Sequence, residues 1–129
     1  LNCPLAIIDK RRLEANEAEV LNIIGDVKDK NVIIRDDIVD TAGTVVLGAE
    51  ALKKQGALDI YVCATHGVLS GKAIERIHES PITEMVITDT ILRDIDKIPS
   101  KFKELSTADI FGEAIRRIWH EESVSKLFD

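Results

Sequence analysis

Apolar residues in this chain come in short runs of two textures. Some are compact and rich in Ile and Val: "LAIID" (5–9), "VIIR" (32–35), "DIYVCAT" (59–65) and "EMVITDT" (84–90). Each is bounded by polar or glycine-containing stretches, which predicts a buried β-strand. "VLNIIG" (20–25) is apolar and stops at a glycine, and "KFKELST" (101–107) predicts a further short strand. Other runs recur with helical spacing. Over 44–55, Val45, Val46, Leu47, Ala49, Ala51 and Leu52 keep that period, and "KKQG" closes the run with two lysines and a glycine. Cations at the negative end of a helix and glycine just beyond it are stop signals. In "GKAIERIHES", Ala73, Ile74 and Ile77 share one face of a short helix broken by Pro81. "TADIFGEAIRRIWHEES" (107–123) predicts an amphipathic helix with Ile110, Phe111, Ala114, Ile115 and Ile118 inward, capped by Ser106 or Thr107. "KRRLEANEAE" (10–19) is charged without a sustained apolar face, and reads as a short helix or a loop.

Strands and helices therefore alternate, with strands ~25 residues apart. This predicts an α/β fold: a mainly parallel, doubly wound sheet flanked by helices, in one domain covering 1–129. In such sheets ligands bind beyond the C-terminal ends of the strands. Three predicted strand exits qualify: 36–44, 65–71 and 88–90. All are rich in Asp, Thr, Ser, His or Gly.

Composition narrows the function classes. The chain has 129 residues, 45% hydrophobic and 31% charged, which suits a globular domain with a real core. A net charge of −6 argues against a general nucleic-acid or membrane-surface binder. It leaves room for a small local anion site. No apolar run reaches ~18 residues, and no signal peptide is evident. Cys3 and Cys63 lie in or beside apolar runs, which predicts reduced, buried thiols and a cytoplasmic protein. The chain starts at Leu1 with a strand almost at once, so we expect a piece of something longer.

The candidate chemistry lies in "DDIVDTAGT" (36–44), directly after an apolar strand. Small residues between a strand and a helix let the backbone turn tightly and bring several N–H groups to one point. The helix N-terminus adds partial positive charge, so a phosphate can be held without lysine or arginine. Thr41 and Thr44 offer hydroxyl donors, and Gly43 permits close approach. The adjacent Asp36 and Asp37 can accept hydrogen bonds from vicinal hydroxyls or help hold a divalent cation. Phosphate at one end and a diol acceptor at the other complement ribose 5-phosphate. The plainer reading is a strand followed by a helix capped by Asp40, with Asp36 and Asp37 solvated. A lone Asp-Thr pair would favour it; nine residues in the required context do not. His66 reads as structural, with no second histidine spaced for a metal site, and Trp119 as packing or interface.

This string resembles the phosphoribosyl-diphosphate motif of the type I phosphoribosyltransferase fold. The wider chain narrows the resemblance. "LAIIDKRR", "IIGDVKDKNVIIRDDIVDTAGT", "CATHGVLSGKAIERI", "VITDTI" and "EAIRRIWHEESVSKLF" are similar to the C-terminal half of the ribose-phosphate pyrophosphokinase family, over nearly all of 5–128. The resemblance implies transfer of the diphosphoryl group of ATP to the 1-hydroxyl of ribose 5-phosphate, with Mg2+, giving phosphoribosyl diphosphate and AMP. It implies that Asp40, Thr41, Ala42, Gly43 and Thr44 hold the 5-phosphate and that Asp36 and Asp37 meet the ribose hydroxyls. Lys10 and Arg12 match the basic positions of a catalytic loop, where cations stabilise charge on the transferring group; taken alone they would read as a solvated charge run. Ser123, Val124 and Ser125 match a C-terminal segment that helps form a regulatory site. No complete metal-ligand set is read here; Asp36 and Asp37 are the candidates.

The resemblance further implies a homo-oligomer, no nucleic-acid or membrane partner, and an ATP site mainly in an N-terminal domain absent from this chain. The isolated chain is then expected to be inactive. Arg35, where the family usually has an apolar residue, would pair with a neighbouring carboxylate or face a loop; Lys72 stands where proline is frequent. Two other readings compete: a phosphoribosyltransferase joining a base to phosphoribosyl diphosphate, and a non-catalytic regulatory relative. The first needs a hood over the base, for which the chain has no spare segment. The second is expected to lose the Asp-Thr-Ala-Gly-Thr string, which is intact.

Overall fold

The computed structural model describes residues 3–11, 20–94 and 98–128. Its centre is a sheet of four parallel strands in the order β3 (Val32–Val39), β4 (Ile60–Gly67), β5 (Glu84–Thr88), β6 (Phe102–Leu105). Helix α1 (Gly43–Lys54) connects β3 to β4, and α2 (Ala73–Glu79) connects β4 to β5. Two further strands, β1 (Ile7–Arg11) and β2 (Val20–Ile24), pair antiparallel as a separate ribbon. Helix α3 (Ala108–Trp119) follows β6 and leads into a short 3-10 helix, Val124–Leu127. The expected mainly parallel α/β sheet flanked by helices is what forms.

The core sits between the sheet and α1 and α2. Alternate residues of β4 (Ile60, Val62, Ala64) are buried and meet Met85 and Ile87 of β5 and Phe102 of β6. Val45, Ala49 and Leu52 of α1 and Ala73 and Ile77 of α2 complete it. Burial of such side chains is worth roughly 1.5–3 kcal/mol each, and no polar or charged residue is buried among them. Gly48 lets α1 approach both layers: a Cβ there would lie 3.1 Å from Ile8 of the ribbon and 4.0 Å from Ile34 of the sheet. Lys101 reaches across to donate to the carbonyls of Ile77, His78 and Ser80 at the end of α2.

Two sequence expectations are corrected. The apolar face of α3 does not turn inward: Ile115 is 67% and Trp119 84% exposed, and Ile110, Phe111 and Ile118 are exposed too. Periodicity shows that a helix has an apolar face, not what covers it. The polar face of α3 is laced within itself and to its tail: Arg116 and Arg117 pair with Glu113, Arg116 also pairs with Glu122, and Arg117 donates to the Ser123 carbonyl. The thiols are also less enclosed than expected: Cys3 is exposed and Cys63 partly exposed, and both are free. They line an open groove of about 630 Å³ on the other sheet face, with Ile33, Arg35, Val86 and Leu105. Arg35 therefore turns to this groove.

The start of α3 is fixed from outside its own segment. The Asp89 carboxylate, just past β5, accepts the Ser106 hydroxyl at 2.6 Å, the Thr107 amide at 2.8 Å and the Thr107 hydroxyl at 2.7 Å. These bonds, the Ser106 hydroxyl first, lower its pKa from 3.8 to about 2. A depressed carboxylate contributes stability above its unfolded pKa and loses it as pH falls through its folded one. Wild type should therefore be more stable than Asp89→Asn at neutral pH in urea unfolding. The difference should close between pH 3.8 and about 2. A difference independent of pH across that window would show that the charge on Asp89 contributes nothing.

Candidate functional site

The segment that follows β3 does not simply end a strand and begin a helix. β3 runs through the paired aspartates, with Asp36 beside Ala64 and Val39 beside Gly67 of β4. Its inward–outward alternation breaks at Asp37 and Ile38, which are both exposed, before Val39 returns to the core. The Asp36 carboxylate accepts the Asp37 amide at 2.9 Å, so one of its oxygens is committed to the backbone at this break.

Beyond Val39 the chain lines a recess of about 230 Å³ formed by Asp36, residues 38–44 and Val45. Ala42 is buried and lies in the left-handed region, φ 62° and ψ 5°, as the residue before α1. A non-glycine residue there costs about 1–2 kcal/mol, and such strain persists where surrounding structure over-determines it. The plainer reading of Asp40 as helix cap is not met: no side chain caps α1. The Asp40 carboxylate instead accepts the Ser70 hydroxyl.

The loop after β4 is what holds the turn. The Leu69 amide donates to the Val39 carbonyl at 3.1 Å, and the Ser70 amide donates to the Asp40 carbonyl at 3.0 Å. Arg76 of α2 donates through Nη1 to the Thr41 carbonyl at 2.9 Å. Three successive carbonyls are thus held on one side. In a trans peptide the C=O and the next N–H point in opposite directions, so the amides of Asp40, Thr41 and Ala42 are directed away from that support. The Ala42 carbonyl accepts the Val46 amide at 3.1 Å, which starts the helix. Among the described residues the amides of Thr41, Ala42, Gly43 and Thr44 have no acceptor. These free donors, the positive end of α1 and the hydroxyls of Thr41 and Thr44 suit an anion.

Gly43 has a different use from the one that φ would suggest. It does not adopt a left-handed φ, and a Cβ on it would meet only the Thr41 hydroxyl, at 3.9 Å. The space there is open to a ligand rather than filled by protein.

The other predicted residues are not all brought here. Asp37 is exposed and does not line the recess. Lys10 lies on β1, with only its strand position described, and Arg12 lies outside the described residues. Ser123, Val124 and Ser125 belong to the tail of α3, where the Ser123 and Ser125 hydroxyls are 2.7 Å apart. Ser70 and Arg76 are the supporting residues that sequence reasoning missed. The string "THGVLSG" marks the loop of Ser70 as a strand exit and "GKAIERIHES" marks the helix of Arg76, but neither shows which carbonyls the two residues reach. His66 meets the Thr90 hydroxyl at 2.9 Å through Nδ1, joining the second and third exits as a structural contact.

Comparison with known proteins agrees with this architecture. The crystal structure of phosphoribosylpyrophosphate synthetase from Mycobacterium smegmatis superposes with a TM-score of 0.82 at 36% identity, over 92% of this chain and 37% of that one. The ribose-phosphate pyrophosphokinase of Caldanaerobacter subterraneus subsp. tengcongensis is 64% identical over 99% of this chain and 40% of its own length. That of Clostridium tetani is 58% identical over the full chain and 40% of its own length. The chain thus spans about 40% of the curated relatives it matches. The family described as the phosphoribosyl synthetase-associated domain matches residues 7–129, and this chain belongs to it.

Proposed function

We propose that this chain is the ribose 5-phosphate-binding, C-terminal domain of a ribose-phosphate diphosphokinase. The observation that carries the reading is the row of free amides from Thr41 to Thr44 over an open recess, with Asp36 in its lining. The names of the relatives and their identity over this whole segment support it.

In this reading the 5-phosphate accepts from the Thr41–Thr44 amides and the Thr41 and Thr44 hydroxyls. Asp36 and Asp37 accept from the ribose hydroxyls; Asp36 keeps one oxygen on the Asp37 amide and has the other to offer. The sugar is thereby held at both ends, leaving its 1-hydroxyl free to react. The oxygen of that hydroxyl attacks the β-phosphorus of ATP. The bond from that phosphorus to the oxygen bridging the α-phosphate breaks, AMP departs with this oxygen, and the hydroxyl proton is released. Lys10 and Arg12 are assigned to charge developing on the transferring group. The remainder of the longer protein supplies most of the ATP site.

Among the described residues no three metal-ligating side chains come together. We assign Asp36 and Asp37 as the carboxylates offered to Mg2+, an ion that commonly takes one or two carboxylates and completes its shell with substrate oxygens and water. Such an ion, when bound, neutralises charge on the phosphoryl oxygens. The reading includes a cytoplasmic homo-oligomer and a regulatory role for Ser123, Val124 and Ser125. No described helix is long and apolar enough to cross a membrane, and the exposed apolar face of α3 supports a surface covered in a larger assembly.

Calorimetry with ribose 5-phosphate should show binding that Asp37→Ala abolishes. Gly43→Ala should weaken it at least about tenfold, or ~1.4 kcal/mol, with an unfolding midpoint unchanged or raised. The new methyl meets no protein atom closer than 3.9 Å, so it intrudes only on the ligand. Wild-type affinity in Gly43→Ala would remove the phosphate from this recess. Incubated alone with ATP, ribose 5-phosphate and Mg2+, the chain should release no AMP; turnover would place the whole ATP site within these 129 residues.

A further inference from the structure

Arg76 lies on the helix after the neighbouring strand, outside the nine-residue motif. Its side chain is exposed, so burial does not explain it, and Nη1 is 2.9 Å from the Thr41 carbonyl. Thr41 C=O and Ala42 N–H belong to one rigid peptide plane, in which fixing the oxygen fixes the hydrogen's direction. Ala42 is also the strained residue of the turn, at φ 62°. A flip of the peptide before it would exchange an N–H facing the recess for a C=O, replacing an attraction for phosphate by a repulsion. The two preceding peptides are held by backbone partners, Leu69 and Ser70. The Thr41–Ala42 peptide is held by a side chain. It is the member of the row that a point substitution can release.

We propose that Arg76 is a positioning residue for the recess: it holds the Thr41 carbonyl outward and so keeps the Ala42 amide aimed at the phosphate of the bound sugar. This rests on the proposed ribose 5-phosphate reading and adds a residue to it. Arg76 acts through the backbone and does not touch the ligand. A guanidinium suits the task because its planar fork donates along fixed directions.

The test compares the chain with Arg76→Ala, using ribose 5-phosphate and inorganic phosphate as separate probes, with amide NMR fingerprints to confirm folding. Arg76→Ala should weaken both ligands by about tenfold, the worth of a charge-assisted hydrogen bond. The loss should persist at about 0.5 M salt, where simple attraction between exposed charges is screened. The shift of the Ala42 amide on phosphate addition should shrink, a signature that general loosening of α2 would not produce. Should Arg76→Ala not fold, Arg76→Lys carries the same test, with an expected loss of about threefold at the higher salt. Unchanged affinity, or a loss that disappears at high salt, overturns the proposal. Wild-type binding of phosphate but not of ribose 5-phosphate overturns the sugar-phosphate reading and leaves the role of Arg76 to be decided on phosphate. Binding of neither overturns both.

Discussion

A trans peptide cannot point its carbonyl and its amide the same way, and the arrangement after β3 depends on that. A row of amides faces one direction only if the matching carbonyls are held in the other. Here the second strand exit does the holding, through Leu69, Ser70 and, from α2, Arg76. Both loops carry a buried non-glycine residue with positive φ, Ala42 at 62° and Leu69 at 50°. Such conformations are unfavourable for an isolated loop. They persist here because each loop gives the other its hydrogen-bond partners. The nine-residue motif is thus half of a device whose other half lies nearly thirty residues further on.

Core packing brings the two halves to the same height. β3 and β4 are parallel and in register to their last residues, Val39 beside Gly67. Their exits therefore leave the sheet side by side. Gly67 makes this possible: a Cβ there would stand 3.0 Å from two atoms of Ile87, a fully buried residue of β5 that has no room to give. Packing between β4 and β5 thus places the loop that orients the turn after β3. The third exit joins through His66 and Thr90, and through Arg93, which donates to the Gly67 and Val68 carbonyls.

Much of this was legible in the residue pattern, for a physical reason. Buried parallel strands and their covering helices leave strong periodic signals, and "DDIVDTAGT" combines small and acidic residues at the one place in an α/β sheet where ligands bind. What escaped prediction depends on partners distant in sequence. Asp40 looked like a cap because Asp commonly caps helices, but Ser70 takes its carboxylate. Thr107 and Ser106 fit the pattern of a cap for α3, but the acceptor that organises them is Asp89. The pattern points the apolar side of α3 to the core because it carries no address. The structure places that side in solvent, while the start of the helix is tied to Asp89 and its other face carries ion pairs within the helix.

The charge balance gives the geometry its weight in the proposed function. The chain carries a net charge of −6, Asp36 and Asp40 line the recess, and Asp37 follows Asp36 in the chain. The charge of this chain repels a sugar phosphate at long range, so no broad basic field of these 129 residues captures it. Attraction has to come from short-range donors already pointing the right way, where each hydrogen bond to an ionised oxygen is worth about 1.5–3 kcal/mol. Disordered amides would lose much of that in being ordered on binding. The strain at Ala42, and the carbonyl contacts that sustain it, are the form in which this ordering is already present before a ligand arrives. In the proposed function the acidic residues are then compatible with an anionic substrate, because they are assigned to its hydroxyls and the oriented backbone to its charge.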